Sequence, residues 1–483
     1  MRTKHLIETH QFEVTIPASE NAYRFQQRLS DFYWNSLVPQ MAALFDEIIP
    51  PQTIVRIDTM VIEIPDITLN NWNEHVIIQE ILSRLKDKLE IIVSANKSHN
   101  INEVEFNEKF KKQSLREYHF ELWLYWLEYG SLPAYTSSPD SLWIKSVLET
   151  LALEHTTITR LKKLVVDKPY TLYRLVLQHK RETLKSIIEL FTTYNQQNLS
   201  GFLTELEKKF TELPVSSAKP DFREFEKPFW ISILTEAIIK SNKKTSQELI
   251  TIAVNTHDVH NFLNKNKGLL SKTPLESFVN DKFILNLNKA QLKIPEEEAL
   301  LSTDFSETHK NDFSMIETPQ YFTNAGMILC HPFLQRLFNT LGLLKKNDFI
   351  NHKSISKACL LLHYLVTGEE AAPEYEMILP KFLCGIPVNI PLDYHIKLKK
   401  EEKEEVYHML QAVIDHWNYL GKTSPEGLRE GFLQREGKLL KDQSGWKMYV
   451  EQKAQDVLLD KLPWNINLIK LPWMDELLKV EWR

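Results

Sequence analysis

One stretch of the chain has residue types that could bind a phosphate. LGKTS at residues 420–424 contains the Gly-Lys-Thr end of a phosphate-binding loop. Such a loop also requires a glycine five positions before its Gly-Lys pair, and here that position is His416, inside a predicted helix. The glycines whose backbone amides would surround the phosphate are missing. The sequence therefore does not predict a nucleotide site.

Thiols and imidazoles form the second group that could do chemistry. Cys359 and His363 are four residues apart on a predicted helix, so both could reach one zinc ion. A zinc site usually has a second closely spaced pair, whereas Cys330 and His331 are adjacent where the chain enters a helix. Cys384, before a glycine, is typical of a buried helix end. We predict buried thiols and packed histidines, with no metal and no cofactor.

Motifs for covalent or hydrolytic catalysis do not occur in the sequence. There is no Gly-x-Ser-x-Gly elbow and no His-Glu-x-x-His pair. Two carboxylates that converge only in the fold, as glycoside hydrolysis requires, stay open among the 64 acidic residues. Trp123 and Trp126 could stack on sugars or bases, but their helical spacing favours a core or an interface. We predict that the protein is not an enzyme.

The C-terminal tail repeats Lys-Leu-Pro-Trp at 461–464 and 470–473. Proline favours an extended residue before it and cannot donate a ladder hydrogen bond, so each repeat predicts the start or end of a strand. WKMYVE, WNINLI and LLKVEW each alternate apolar and polar residues and predict three short strands. The residues expected to shape this sheet, and the entry to the domain before it, are Pro463, Trp464, Pro472, Trp473, Trp482, His331 and Pro332.

Composition indicates a folded, mainly helical chain. The 483 residues include only 12 glycines, 43% are hydrophobic, and the formal charge is −6. This charge gives no general attraction to nucleic acid, and no apolar run reaches the roughly 20 residues needed to cross a bilayer. Three cysteines cannot form a disulfide framework in a chain this long. We expect folding in the cytoplasm.

Hydrophobic periodicity divides the chain into four parts. They are an N-terminal strand-helix-strand-helix domain at 1–95, a central helical region at 96–288, an acidic linker at 289–322 and a C-terminal helical domain with terminal strands at 323–483. The fold class predicted is α+β, predominantly α-helical, with central helical hairpins and a short antiparallel sheet at the end.

Local signals within these parts predict particular elements. FEVTIP at 12–17 and RIDTMVIEIP at 56–65 predict two strands that bracket a helix capped by Ser19. Residues 72–93 predict a further helix, and Gly130 is expected to end the aromatic helix that precedes LPAY at 132–135. A single helix is predicted over 171–191, and in the C-terminal domain helices capped by Ser354 and Ser424 are expected, the second with Pro425 in its first turn.

Long ordered stretches resemble a known family. They are HPFLQRLFNTLGLL, LLHYLVTGEEAAPEYEMILPKFLCGIP, HWNYLGKTSPEGLREGFLQREGKL and DVLLDKLPWNINLIKLPWM in the C-terminal part, and ENAYRFQQRLSDFYWNSLVPQMAALFDEIIPPQTIVRIDTMVIEIPDI near the start. These look like the contractile injection system tape measure family, which is associated with extracellular phage-tail-like particles. The resemblance covers roughly half of the chain, and the middle is similar only in its helical character.

This resemblance implies a non-enzymatic assembly protein that helps set the length of the tail tube and occupies or initiates its lumen. The partners implied are tail-tube, spike or baseplate, and cap proteins, with a second copy of the chain or effector cargo as further options. No nucleic acid and no membrane insertion are expected. The implied location is the cytoplasm during assembly and then the tail tube of a particle that can be released.

The number of residues limits the tube length that such a protein could measure as an extended helix. One helix over 104–288 would span about 280 Å and the whole chain roughly 700 Å, at 1.5 Å per residue. The 22 prolines and the aromatic segments argue against one uninterrupted rod. Two alternatives therefore stay open: a folded adaptor or chaperone that docks spike or cargo, and a lytic or metal-dependent enzyme carried by the particle.

Overall fold

The computed structural model describes residues 5–7, 9–16, 21–64, 73–94, 110–134, 136, 139–140, 142–212, 221–240, 243–265, 319–393, 395–443 and 445–482. The predicted acidic linker falls largely outside the described residues, as does Ser19. Two compact units are present: Met1–Glu121 with Ser137–Thr150, and Leu122–Thr136 with Leu151–Arg483. The four domain boundaries drawn from the sequence stay predictions.

The first unit is built on helices and a two-stranded ribbon. Its elements are α1 (Ala22–Asp31), a π-helical segment (Phe32–Leu37), α2 (Val38–Ile48), β1 (Thr53–Ile57), α3 (Glu74–Ser94) and β2 (Phe110–Ser114). One face of α3 packs against Phe32, Leu37, Met41 and Leu44. That face carries Ile77, Ile81, Leu85 and Leu89, spaced about one helical turn apart as an amphipathic helix requires.

Two N-terminal predictions change in the structure. Residues 12–16 belong to no strand, and the helix expected after Ser19 begins at Ala22 with Asn21 as its cap. The second predicted strand shifts to β1, which pairs antiparallel with β2. Met60, Ile62 and Ile64 still pack on the core of the unit, so the alternation indicated burial although no ladder forms there.

The central helices follow one another with short connections. They are α4 (Leu115–Tyr129), α5 (Trp143–Leu153), α6 (His155–Asp167), α7 (Tyr170–Gln178), α8 (Arg181–Thr192), α9 (Gln197–Glu212), α10 (Phe222–Leu234), a π-helical segment (Thr235–Ile239), α11 (Ser246–Val254) and α12 (His257–Lys265). The single helix predicted over 171–191 is two helices, because the chain is extended at His179 and Lys180 between α7 and α8. Gly130, with φ of 74°, ends α4 as predicted.

The C-terminal part of the second unit combines short helices with small sheets. Its helices are α13 (His331–Thr340), α14 (His352–Thr367), α15 (Ile378–Leu383), α16 (Lys400–His416) and α17 (Pro425–Leu428), with 3₁₀ turns at Ala325–Cys330, Glu374–Glu376, Asn418–Leu420 and Ala454–Lys461 and a π-helical segment at Arg429–Leu433. Asn351, rather than Ser354, caps α14; its side-chain oxygen accepts from the amide of Ser354. Ser424 caps α17, and Pro425 lies in its first turn, as predicted.

The strands of this part form one five-stranded sheet and one small ribbon. They are β3 (Gln320–Phe322), β4 (Leu344–Lys345), β5 (Asp348–Phe349), β6 (Gly437–Asp442), β7 (Gly445–Val450), β8 (Leu468–Ile469) and β9 (Leu478–Glu481). The larger sheet has the order β3-β6-β7-β9-β8. β7 and β9 run parallel, so the sheet is mixed rather than wholly antiparallel. A parallel pair needs a long crossover, and residues 451–477 with both Leu-Pro-Trp repeats supply it.

The predicted fold class is confirmed: the chain is mostly helical with a few small sheets. Among the described residues, none of the helices has both the length and the apolar character that crossing a bilayer requires.

Candidate functional site

A buried cluster of charged side chains lies inside the second unit. Arg174, Glu374 and Lys381 have side chains with no solvent exposure. The guanidinium of Arg174 donates from Nε to Glu374 Oε2 at 2.8 Å and from Nη2 to Glu374 Oε1 at 3.3 Å. Lys381 Nζ forms the other ion pair to Glu374 Oε1. One carboxylate is therefore shared by two buried cations.

Three elements bring these charges together. Arg174 lies on α7, a helix in which eight of the nine residues are buried. Glu374 opens the 3₁₀ turn after Pro373, and Lys381 lies on α15 in the run ILPKFL, where four of the other five residues are buried as well. Apolar neighbours position each charge, so the charges cannot reach water and must satisfy one another.

Backbone carbonyls complete the hydrogen bonding of the cluster. Arg174 donates to the carbonyl of Leu127 and, at 2.5 Å, to that of Asn389. Lys381 Nζ donates to Val388 O at 2.6 Å. A Cβ on Gly130 would overlap Val388 O and lie 2.8 Å from Arg174 Nη2. We call Arg174, Glu374, Lys381 and Gly130 the charged junction.

Electrostatics in the charged junction follow from its burial. The pKa of Lys381 is lowered to about 8, chiefly by burial and also by the positive charge of Arg174, while the negative charge of Glu374 opposes both effects. The attraction within a buried ion pair offsets the free-energy cost of desolvation only when the remaining polar atoms are also hydrogen-bonded. Here the carbonyls of Val388 and Asn389 accept those hydrogen bonds. The arrangement suits a structural clamp.

A second set of polar contacts surrounds the charged junction. Gln178 Nε2 donates to Leu392 O at 2.6 Å. Asp393 is 2.9 Å from Lys227 Nζ and 3.4 Å from Arg223 Nη2. Burial alone would raise the pKa of Asp393, but Lys227 and Arg223 hold it below its ordinary value.

An exposed ion pair of 2.8 Å joins Lys353 and Asp221 as well. All of these contacts lie within the second unit. They join helices of residues 151–265 to residues 319–482. Ion pairs and hydrogen bonds therefore join the central helices to the C-terminal part.

Sequence reasoning did not identify the charged junction. Arg174 and Lys381 each stand within an apolar run, TLYRLVL and ILPKFLC, and that isolation is the one signal in the sequence. Their partner Glu374 is 200 residues from Arg174 in the sequence, and no local sequence pattern indicates that these two residues form an ion pair.

The three predicted tryptophans all pack on the C-terminal core, and each donates its indole N–H. Trp464 bonds Leu329 O at 3.0 Å and meets Phe333 edge-on. Trp473 bonds Leu383 O at 2.7 Å. Trp482, 1% exposed, bonds Asp456 Oδ2 at 3.1 Å. Trp464 and Trp473 are only partly buried.

The predicted prolines and histidine occupy the edges of that core. Pro463 and Pro472 are exposed, one on each side of β8. Pro332 stands in the first turn of α13, and His331 Nδ1 lies 2.9 Å from Ile328 O. Burial lowers the pKa of His331. The structure does not gather these seven residues into one site, and their role as contacts for other subunits stays a prediction.

The thiols considered as metal ligands are all buried and free. Burial raises the pKa of Cys330 to about 12, and burial, with the neighbouring thiol of Cys359, raises the pKa of Cys384. Within the part of the chain that the structure describes, no three His, Cys, Asp or Glu side chains are grouped so that they could hold a metal ion.

Comparison with known proteins defines the class to which this mostly helical chain belongs. It is a structural component of a contractile tail particle, a class whose members work with other tail components. Residues 4–482 match the family model described as contractile injection system tape measure protein, and the chain belongs to this family. No curated protein and no solved structure matches it.

Proposed function

We propose that this chain helps set the length of the tail tube and occupies or initiates the lumen of the tube during assembly, without catalysing a reaction. The observation that carries the proposal is the family match over residues 4–482. The partners are then tail-tube, spike or baseplate, and cap proteins, and the chain enters the particle in the cytoplasm.

The folded state constrains how length could be measured. Within the described residues 151–265, α9 is the longest helix at 16 residues, or about 24 Å. Short helices that pack side by side contribute little to the length of a rod. A chain that acts as a ruler must therefore release the central helices from the C-terminal part, and the charged junction is one of the contacts that have to open.

Tube length in particles from variant strains tests the ruler. Duplicating residues 246–265, which form α11 and α12, adds 20 residues, and a ruler that extends as helix lengthens the tube by about 30 Å. A matched control is Glu205→Gln with Lys208→Gln on the exposed face of α9, which preserves chain length and net charge. Electron microscopy of purified particles gives the tube lengths. Equal lengths in all three strains would contradict the ruler.

A second candidate function is a folded adaptor that docks spike or cargo, and the charged junction favours it. The ion pairs of the charged junction have no solvent exposure and stabilise the folded form. An adaptor would keep this folded form when it binds its partners. Cysteines at Asp221 and Lys353, an exposed pair, would allow a cleavable cross-linker to lock the same interface. The native thiols are buried and would react poorly with the linker.

The locked protein separates the two functions when it is added to purified tube and baseplate components. An adaptor supports assembly while cross-linked, whereas a ruler supports it only after the linker has been cleaved. Each single-cysteine variant, treated in the same way, is the control for chemical modification.

A further inference from the structure

The five-stranded sheet of the C-terminal part has one face on the core and one face toward solvent. Alternate residues of its strands are buried, among them Leu439, Met448 and Val480, and the residues between them are exposed or half-buried. The strand register sets these other residues in two rows across the sheet. The first row is Tyr321, Lys438, Tyr449 and Glu481, and the second row is Leu440, Lys447, Lys479 and Leu468. We call these two rows the outer face.

The outer face carries an excess of positive charge. Its lysines outnumber its single glutamate, although the whole chain has a formal charge of −6. Lys438 Nζ lies 4.8 Å from the centre of the Tyr449 ring on the neighbouring strand, a distance at which an ammonium group is attracted to an aromatic ring. The lysines are half-buried, so their stems pack on the sheet. The positive charge is therefore local to this face.

Two of these lysines repel each other. Lys447 and Lys479 lie directly opposite each other on β7 and β9, and like charges in that position destabilise a sheet. Asp442 Oδ2 lies 2.7 Å from Lys447 Nζ and compensates one of the two charges. Within the part of the chain that the structure describes, no carboxylate forms an ion pair with Lys479. A carboxylate from another molecule would relieve this repulsion.

The rest of the outer face favours a protein partner over a nucleic acid. Leu440 and Leu468 stand at the two ends of the row that contains the opposed lysines, and Leu468 is 52% exposed. Leucine side chains gain stability by packing on apolar groups, which a phosphate backbone does not offer. Nucleic-acid binding rests on many phosphate contacts, and the carboxylates of Glu481 and Asp442 would repel phosphates.

We propose that the outer face is a docking surface for an extended acidic segment of a partner protein, with carboxylate and apolar side chains on the same side of that segment. The carboxylates pair with Lys447 and Lys479, and the apolar side chains pack on Leu440 and Leu468. This surface lies apart from the charged junction. The inference therefore does not depend on whether the chain acts as a ruler or as an adaptor.

Fluorescence anisotropy on the full chain tests the proposal with a labelled peptide amide, Leu-Ser-Glu-Ser-Glu-Ser-Leu. When extended, this peptide has its leucines and glutamates on one side, in the order of the second row. At low ionic strength we expect about tenfold weaker binding to the double variant Lys447→Gln with Lys479→Gln, because two surface ion pairs are lost. The matched control is Lys441→Gln, an exposed lysine of β6 outside the outer face, which should bind as the wild type does.

Further measurements separate the acidic segment from other occupants. The same peptide with glutamine in place of both glutamates should bind about tenfold more weakly. Equal binding of the two peptides, or equal binding to the wild type and the double variant, would overturn the proposal. Tighter binding of a labelled thymidine oligonucleotide would assign the face to nucleic acid instead. Self-association of the wild type that the double variant loses, seen by sedimentation, would assign it to a second copy of the chain.

Thermal unfolding without peptide gives an independent readout of the opposed lysines. Lys479→Gln removes one of two like charges, so its thermal midpoint should be no lower than that of Lys441→Gln, although it binds the peptide about threefold more weakly than the wild type. A clearly lower midpoint for Lys479→Gln would show that this lysine stabilises the sheet by itself. That result would remove the argument for an external carboxylate and would overturn the proposal.

Discussion

Arg174 and Glu374 are 200 residues apart in the chain and form a bidentate ion pair. Nε of Arg174 lies 2.8 Å from Oε2 of Glu374, and Nη2 lies 3.3 Å from Oε1. Neither side chain is exposed. The pair fixes α7 of the central helices against the C-terminal part at one register, because a planar guanidinium bonds a carboxylate in two places only when both are aligned. The stability of the second unit should therefore be sensitive to the loss of this one carboxylate.

Removing the shared carboxylate should destabilise the second unit strongly. Glu374→Gln leaves Arg174 and Lys381 buried with no anion, and breaking a buried pair in this way costs about 3–5 kcal/mol. Urea denaturation followed by circular dichroism measures the loss. Glu369→Gln, at an exposed residue that precedes Glu374 in the chain, is the control and should stay within about 0.5 kcal/mol of the wild type. Similar losses of unfolding free energy in both variants would show that the buried carboxylate of Glu374 stabilises the unit no more than an exposed carboxylate does.

Two glycines with similar backbone angles should respond differently to alanine. Gly130 has φ of 74° and Gly342 has φ of 64°, so both substitutions carry the strain of a left-handed residue, about 1–2 kcal/mol. A Cβ at Gly130 would also overlap Val388 O, whereas no atom lies within 4 Å of one at Gly342. We expect Gly130→Ala to lower the thermal midpoint clearly more than Gly342→Ala does. Equal shifts of the thermal midpoint would indicate that the chain around Gly130 accommodates the added Cβ at little cost in free energy.

The tryptophans of the C-terminal part should rank by burial. Trp482 is 1% exposed, and Trp482→Ala should cost about 3–5 kcal/mol by opening a cavity. Trp464 is only partly buried, so Trp464→Ala should cost less than Trp482→Ala. Trp482→Phe keeps an aromatic ring and loses the hydrogen bond to the Asp456 carboxylate, at about 1.5–3 kcal/mol. Denaturant midpoints of the three variants give the order, and a larger loss at Trp464 would reverse it.

Acid should weaken the second unit through His179. Burial lowers the pKa of His179 to about 4, whereas the unfolded chain has the ordinary value near 6.5. The unfolded state therefore binds the proton first, and the stability present above pH 6.5 is lost as the pH falls toward 4, to the extent of ~3 kcal/mol. The neutral ring accepts from Trp123 Nε1 at 3.0 Å.

The variant His179→Gln retains an acceptor for Trp123 and removes the titration. We expect its unfolding free energy to fall less steeply between pH 6.5 and 4.5 than that of the wild type. His155→Gln, on an exposed residue of α6, is the control and should keep the slope of the wild type. Parallel slopes in wild type and His179→Gln would refute the assignment.

Local patterns predicted much of the fold and little of the site. Glycines and prolines act on their own neighbours, so Gly130 as a helix end and Ser424 with Pro425 as a helix start were predicted correctly. The break between α7 and α8 was missed because Leu175 and Leu184 continue one apolar stripe across His179. The partner of Arg174 could not be predicted, since the ion pair depends on which distant turn the fold brings beside α7.

The position of β9 in the sheet has a consequence for the timing of synthesis. Residues 478–481 do not form an edge; they lie between β7 and β8 and bond to both. The ribosome makes these residues after residues 1–477. Because β9 pairs with both β7 and β8, the five-stranded sheet cannot form without it. Earlier helices can collapse while translation continues, but the sheet must wait for this strand before it can close. A nascent chain would therefore not carry a finished C-terminal part until residues 478–481 have been made, and any recruitment that depends on this part is delayed until then.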